Sequence, residues 1–355
     1  NCTPLAILIP NLNRHFIHIK QYQDTSRTPR PGHASYATFM KYGPDDDAIG
    51  AGIFSGRYTS TIVAAGYVAK RILRAHGINV FSYVREIAGV RSPDVPHDEA
   101  FEYTERYKQM RHDLDPFYQE VYVKNRINME MRFLQKAAIL AEIENEIDDI
   151  RGKAPKMTAD DIRSKYNVHE IVCCPDIDAS QAMVDACNKI SATGDSAGGV
   201  VEVVVTGVPA GLGEPVFYKL DGELGRMLGI GAVKGVEIGA GFGVKDMTGY
   251  ENNDQMHSEE GKVVFDSNNA GGITGGVSTG QAIVARLAVK PTPTIDKPQH
   301  TIDKYTRENT DLAAITRRDP TIVARIWPVA ENYTAMVILD NLMAHYGYQA
   351  FISRD

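Results

Sequence analysis

The chain has 355 residues, 43% hydrophobic and 23% charged, an ordinary globular balance whose length suits one large domain or two. A formal charge of −7 argues against general nucleic-acid binding but leaves room for a local basic pocket. Four cysteines without zinc-ligand spacing and no apolar run near ~18–20 residues exclude a zinc framework and a membrane-spanning helix; a reducing, cytoplasmic setting is expected.

The chain opens Asn1-Cys2-Thr3-Pro4 and runs directly into Leu5 to Ile9, read as a short buried strand closed by Pro10. It begins as if inside a domain, so we expect a leading segment ahead of it. Asn11 to Thr28 is polar and irregular. Arg30-Pro31-Gly32-His33-Ala34 is a turn whose proline and glycine can hold His33 in place. Taken alone, such a histidine is more often a surface or satisfied polar group. Gly50 to Arg57 is a Gly-rich loop ahead of a helix over Ser60 to His76, with Gly77 as its cap. A glycine loop at a helix N-terminus can hold an anion. Ile78 to Ile87 is strand-like.

Val95 to about Lys165 changes character: it is rich in charge, with Tyr, Met and Leu at helical spacings and almost no glycine. Phe117 to Ile150 reads as one or two long helices, and Thr158 caps a further short one. These charged faces read as solvated surface, with a stripe packed on the body or on a partner subunit. Next come a helix over Asp178 to Thr193, a turn, a strand over Val200 to Val205, and the glycine-proline loop Gly207 to Pro215. A helix over Leu220 to Ile230 and a strand over Val233 to Ile238 follow. Gly239-Ala240-Gly241-Phe242-Gly243 fails as a dinucleotide fingerprint, because Val244 stands where the third glycine belongs and the sequel is polar.

Asn268 to Gly280 carries paired Asn and repeated glycines, which suit either a ligand cradle or a pair of Gly-rich hairpins. A strand over Gln281 to Val289 then runs into Lys290-Pro291-Thr292-Pro293-Thr294. Prolines cannot continue a sheet ladder. Glycine amides, a lysine and threonine hydroxyls together suit a phosphate-bearing ligand. Thr316-Arg317-Arg318-Asp319-Pro320 is a charged turn. The apolar surroundings of Arg325 predict a partly buried cation with an anionic partner, and Ala330 to Met343 is a closing helix.

In this order, Arg-Pro-Gly-His-Ala, Pro-Ala-Gly-Leu-Gly-Glu-Pro, Ala-Val-Lys-Gly-Val-Glu, Asn-Asn-Ala-Gly-Gly-Ile and Lys-Pro-Thr-Pro resemble the chorismate synthase family, over well over half of the chain. The Phe-Ser-Gly-Arg form of the second loop resembles its archaeal and clostridial branch. The resemblance implies a 1,4-anti elimination of phosphate from 5-enolpyruvylshikimate 3-phosphate, giving chorismate in the shikimate pathway to aromatic amino acids. Reduced FMN is needed without net redox change, and the implied enzyme class is a carbon–oxygen lyase acting on phosphates. It implies His33 as the histidine that protonates reduced flavin and Asp319 as the aspartate that helps deprotonate its N5. The implied flavin-binding positions are Ile53, Phe54, Ser55, Gly231, Ala232, Gly275, Lys290, Pro291, Thr292, Pro293, Thr294 and Arg317. Arg57 and Arg325 are candidates for anions of the substrate or the flavin phosphate, since guanidinium forks suit both groups.

The implied fold is α+β, a layered sandwich of antiparallel sheets enclosing helices. We expect one domain over residues 1–355, with residues 95–165 as a charged helical insertion. The implied assembly is a homotetramer in the cytoplasm that binds neither nucleic acid nor membrane, and the sequence leaves open whether NADPH reduces the flavin on this chain. Three departures stand out. The family's Gly-Glu-Ser-His-Gly has no counterpart here, its Gly-Arg-His-Asp-Pro is Thr316 to Pro320, and the residue after Arg-Pro-Gly-His-Ala is Ser35 where the family has Asp. A catalytically impaired flavin-binding or structural relative is therefore the alternative reading.

Overall fold

The computed structural model describes residues 5–9, 26–45, 56–130, 137–153, 157–169, 171–312 and 319–347. The chain divides into two compact units, one of residues 1–91 with 182–355 and one of residues 92–181. In chain order the elements are α1 (Ser35–Tyr42), α2 (Ser60–Ala75), β1 (Asn79–Ile87), β2 (Val90–Arg91), α3 (His97–Glu130), α4 (Ala137–Lys153), α5 (Ala159–Tyr166) and α6 (Ile177–Ala192). They continue with β3 (Gly199–Thr206), α7 (Leu220–Gly225), β4 (Val233–Ile238), α8 (Gly249–Asn252), β5 (Met256–Glu259), β6 (Lys262–Phe265), β7 (Ile273–Thr274) and β8 (Val277–Ser278). The last are β9 (Ile283–Val289), β10 (Gln299–Ile302), β11 (Asn309–Leu312) and α9 (Val323–Tyr346). Helices and antiparallel sheets together make this an α+β fold. Among the described residues no helix is long and apolar enough to cross a membrane.

The larger unit is built on a five-stranded sheet in the order β2-β1-β3-β9-β4, with every neighbouring pair antiparallel. Its central strands are Val-rich, as β-branched residues favour a pleated, buried surface. The register aligns Tyr83, Glu202, Arg286 and Glu237 in one row across β1, β3, β9 and β4. Alternation puts all four on the same face. There Arg286 Nε donates to Glu202 Oε2 at 2.8 Å, and the Tyr83 hydroxyl donates to the same carboxylate. Burial first and the Glu202 charge second hold the Tyr83 phenol protonated, with its pKa raised far above the ordinary range.

The opposite face is covered by α2 and α9. Buried Glu331 of α9 pairs with Lys70 of α2 and accepts the Ser82 amide at 3.0 Å. A buried carboxylate with a cation and two donors meets the usual requirement for a charge in a core. The two helices approach most closely at Gly66, where an added Cβ would lie 2.3 Å from Asn332 Cβ and from its carbonyl oxygen. α9 starts seven residues earlier than the sequence predicts, at Val323, and runs through Pro328. The proline lacks an N–H, so one carbonyl of the preceding turn loses its helical donor.

In the smaller unit α3 packs against α4 and α5. Tyr103, Tyr107, Met110 and Leu114 are buried at helical spacing along α3. The Thr158 cap is a full capping box with Asp161. Two readings are corrected. Leu5 to Ile9 is exposed, with no regular structure, and Leu8 is 89% exposed. A short apolar run becomes a strand only where a neighbour completes its ladder, and no strand among the described residues does so. The helix expected over Leu220 to Ile230 is α-helical only to Gly225 and tightens to 3-10 over Arg226–Gly229.

Replacing Gly66 with Ala is expected to destabilise the fold by about 3 kcal/mol, because both contacts are backbone or Cβ atoms that cannot swing aside. Chemical unfolding with unchanged m-value would measure it; a loss below ~0.5 kcal/mol would mean that the helices are not in this contact.

Candidate functional site

The site lies at the end of the sheet where β9 stops. Val289 is the last residue paired on both sides, with Gly199 and with Val233. Pro291 and Pro293 forbid a further rung, and the chain leaves the sheet as Lys290 to Thr294. Lys290 N donates to Ala232 O at 2.9 Å, which places Gly231 and Ala232 beside the run. Ala232 sits at φ +74, a strained conformation for a side chain with Cβ. The loop after α6 braces the run from below: Ser196 Oγ donates to Thr292 O at 2.8 Å, and Ala197 N donates to Pro320 O at 2.8 Å.

Two distant pieces of chain meet there. The Lys290 ammonium donates to Gly32 O, and Arg30 Nη1 donates to Thr294 Oγ1 at 3.2 Å. Thr292 Oγ1 donates to Asp319 O at 2.7 Å. His33, Asp319 and the whole Lys290 to Thr294 run are therefore brought together by the fold. Gly32 permits the approach: its φ is +69, and an added Cβ would touch Pro293.

His33 stands between two donors. Ser35 N donates to Nδ1 at 3.1 Å, and Arg30 Nη2 lies 3.0 Å from Nε2. A guanidinium only donates, so neither ring nitrogen is offered an acceptor for a second proton. Burial, then the charges of Arg30 and Lys290, lower the His33 pKa to about 4. The Lys290 ammonium is itself lowered by burial and by the charge of Lys234. Cations gathered in this way around one histidine suit an anion between them.

The other predicted residues fall as follows. Arg325 Nη1 donates to Asp319 Oδ2 at 2.9 Å, so the expected anionic partner exists, but the arginine is 68% exposed rather than partly buried. It occupies the first turn of α9, and its apolar neighbours turn inward while it faces solvent. Arg57 belongs to the 3-10 turn Gly56–Thr59 that leads into α2. Gly275 is in the turn between β7 and β8, at the opposite end of β9 from Lys290. Ile53, Phe54, Ser55 and Arg317 lie outside the described residues. Arg30, Ser196 and Lys234 join the site although the sequence reading gave them no role. A second cation three residues before His33 was the available signal for Arg30.

The donor set fits a phosphate-bearing flavin: ammonium and guanidinium for the anion, threonine hydroxyls beside them, and a turn at Ala232 next to the lysine. Fold and site thus define an α+β protein with a cluster of cations around a histidine at one sheet end. Residues 1–343 match the family model described as chorismate synthase. A chorismate synthase of Acetivibrio thermocellus is 38% identical over 353 residues, covering 99% of this chain and 74% of its own length. One of Methanosarcina mazei is 37% identical, covering 96% of this chain and 75% of its own length. One of Pyrococcus abyssi is 34% identical, with 96% and 77% covered. A crystal structure of chorismate synthase shares the fold, with a TM-score of 0.58 at 23% identity, covering 88% of this chain and 70% of its own. The chain belongs to the chorismate synthase family.

In the ligand-free chain the His33 ring should titrate at about 4, and Arg30→Gln should move the titration upward. The unfolded histidine binds its proton near 6.5 and the folded one only near 4, so stability should fall as pH drops through that window. NMR of the imidazole protons reads the first effect and unfolding against pH the second; a ring that titrates at 6.5 contradicts the arrangement.

Proposed function

We propose that this chain catalyses its family's reaction at the site around His33. Phosphate is eliminated from 5-enolpyruvylshikimate 3-phosphate to give chorismate, and reduced FMN is bound beside the Lys290 to Thr294 run. The observation that carries the reading is the meeting of Arg30, His33, Lys290, Thr294 and Asp319 at one sheet end. Lys290 to Thr294 with Gly231 and Ala232 would hold reduced flavin, which would supply electron density for breaking the C–O bond and a place for the hydrogen lost from C6.

The protein's own residues do the rest. Phosphate departs with the bonding electron pair, so the leaving group needs positive charge close by. Lys290 and Arg30 supply it in partly buried positions, where charges act more strongly than in water. An anion between them reverses the local sign at His33. Its proton affinity then rises from the depressed ligand-free value, and the ring can hold and deliver a proton. Asp319 is held beside Thr292, and its carboxylate is paired with exposed Arg325, a contact that a ligand anion can compete for. Gly231, Ala232 and Gly275 offer backbone to the cofactor, and Arg317 with Ile53, Phe54 and Ser55 completes the proposed set. Arg57 and Arg325 are the proposed contacts to the substrate's remaining anionic groups.

The same reading extends to architecture and setting. The sheet with α2 and α9 on one face supports a layered sandwich, within one domain that carries residues 95–165 as an insertion. The working form is a homotetramer in the cytoplasm.

Anaerobic assay with dithionite-reduced FMN and 5-enolpyruvylshikimate 3-phosphate, read by chorismate absorbance, tests the assignment. His33→Ala should lower kcat by about 10²-fold or more with little change in FMN affinity. Lys290→Ala should weaken FMN binding about tenfold. Turnover by His33→Ala equal to that of the unsubstituted chain would remove His33 from the mechanism.

A further inference from the structure

The turn that carries His33 is held from outside itself. Residues 26–34 form neither helix nor strand, so their backbone groups must find partners elsewhere. Several of those partners lie on one hairpin, β10–β11, which starts five residues beyond Thr294. Lys304 N donates to Arg27 O at 2.9 Å, and Thr301 Oγ1 donates to Pro29 O at 2.7 Å. On the other side of His33, the buried Lys304 ammonium lies over the Phe39 ring of α1, 4.7 Å from its centroid. A ring face attracts a cation more strongly once water is removed. Both stems of the His33 loop, residues 27–29 before it and Phe39 after it, are thus gripped by residues 301–304.

Asp303 closes this grip with one oxygen for each task. Oδ2 accepts Arg27 Nε at 2.8 Å, while Oδ1 accepts the amides of Tyr305 at 2.8 Å and Thr306 at 3.1 Å. The first contact ties the hairpin to the stem; the others form an Asx turn at the hairpin's tip. The Arg27 hydrogen bond, followed by those amides, lowers the Asp303 carboxyl to about 2, so it is charged at neutral pH. Arg27 is 61% exposed and Asp303 22%. An ion pair in such contact with water adds little to global stability. Its effect is on where the stem lies.

We propose that Asp303 is a positioning residue for His33. Through Arg27 it fixes the stem of the turn, and so keeps the Arg30 guanidinium 3.0 Å from His33 Nε2 and 3.2 Å from Thr294 Oγ1. The inference rests on the role of His33 proposed above and adds to it a residue outside the cluster of cations. A misplacement of about 1 Å at a reacting group can cost roughly 10²-fold in rate. The hairpin also follows the Lys290 to Thr294 run directly in the chain, so one segment sets the place of both halves of the site.

Asp303→Asn is the informative variant: Asn keeps an acceptor for the Tyr305 and Thr306 amides and removes the charge facing Arg27. Arg27→Met removes the same contact from the other side. In the full chain each should lower kcat in the anaerobic chorismate assay by about tenfold, with KM for 5-enolpyruvylshikimate 3-phosphate changed less than about threefold. The double variant should lose no more than either single one. By NMR without ligand, the His33 ring should titrate above about 4, toward 6.5, as the stem loosens and Arg30 leaves. Titration still near 4 in both variants, or a fall in kcat that only tracks a lower Tm, overturns the positioning role. If the unsubstituted chain shows no turnover, the catalytic reading falls, and the His33 titration by itself decides whether Asp303 positions the ring.

Discussion

Everything at the site depends on where β9 is made to stop. Its residues pair on both sides with β3 and β4 as far as Val289, and the next residues alternate lysine, proline, threonine, proline, threonine. Two prolines remove the donors that further rungs would need. The backbone must turn out of the sheet, and its freed carbonyls and hydroxyls find partners elsewhere in the chain. Thr292 takes Asp319 and Ser196, Thr294 takes Arg30, and Lys290 takes Gly32. One covalent constraint thus draws in a turn some 260 residues earlier in the sequence and one nearly 30 residues later.

The second consequence is electrostatic. Three cations and a histidine share a small region of a chain whose formal charge is −7. The overall charge is spread over exposed helices, and at physiological salt its influence dies over ~8 Å. What His33 feels is set by its immediate neighbours. Their effect is to keep the ring neutral and the lysine less basic than usual, at a cost that a bound anion removes. Ligand affinity and proton affinity at this site are therefore one linked quantity.

Much of this was legible in the sequence, for identifiable reasons. Strands β1, β3, β4 and β9 were readable because Val-rich runs bounded by glycine and proline have few other uses, and α2 and α6 because their apolar positions fall on one face. The site was legible where a residue's chemistry is unusual in its context, as with a lysine between a strand and two prolines. Three things were hidden. Leu5 to Ile9 has strand composition, but composition does not supply a partner. Arg325 has apolar neighbours in sequence, but a helix sends them inward and the arginine out. Glu202 and Arg286 each look like an isolated charge in an apolar strand. Only the register of three pairings makes them a row with Tyr83 and Glu237, and register is a property of the whole sheet.

That row bears on why the sheet is rigid. On one face, Glu202 is held by Arg286 and Tyr83; on the other, Glu331 is held by Lys70 and Ser82. Each buried carboxylate ties elements far apart in sequence, and removing one partner of such a pair typically costs 3–5 kcal/mol because the other charge stays buried. Slippage of β1 by one residue would move Tyr83 from Glu202 and Ser82 from Glu331 and so disturb both sets at once. The two ends of β9 are consequently held at a fixed separation, with the cations at the Val289 end. A sheet locked in this way holds the departure point of Lys290 to Thr294 fixed relative to the helices on its other face.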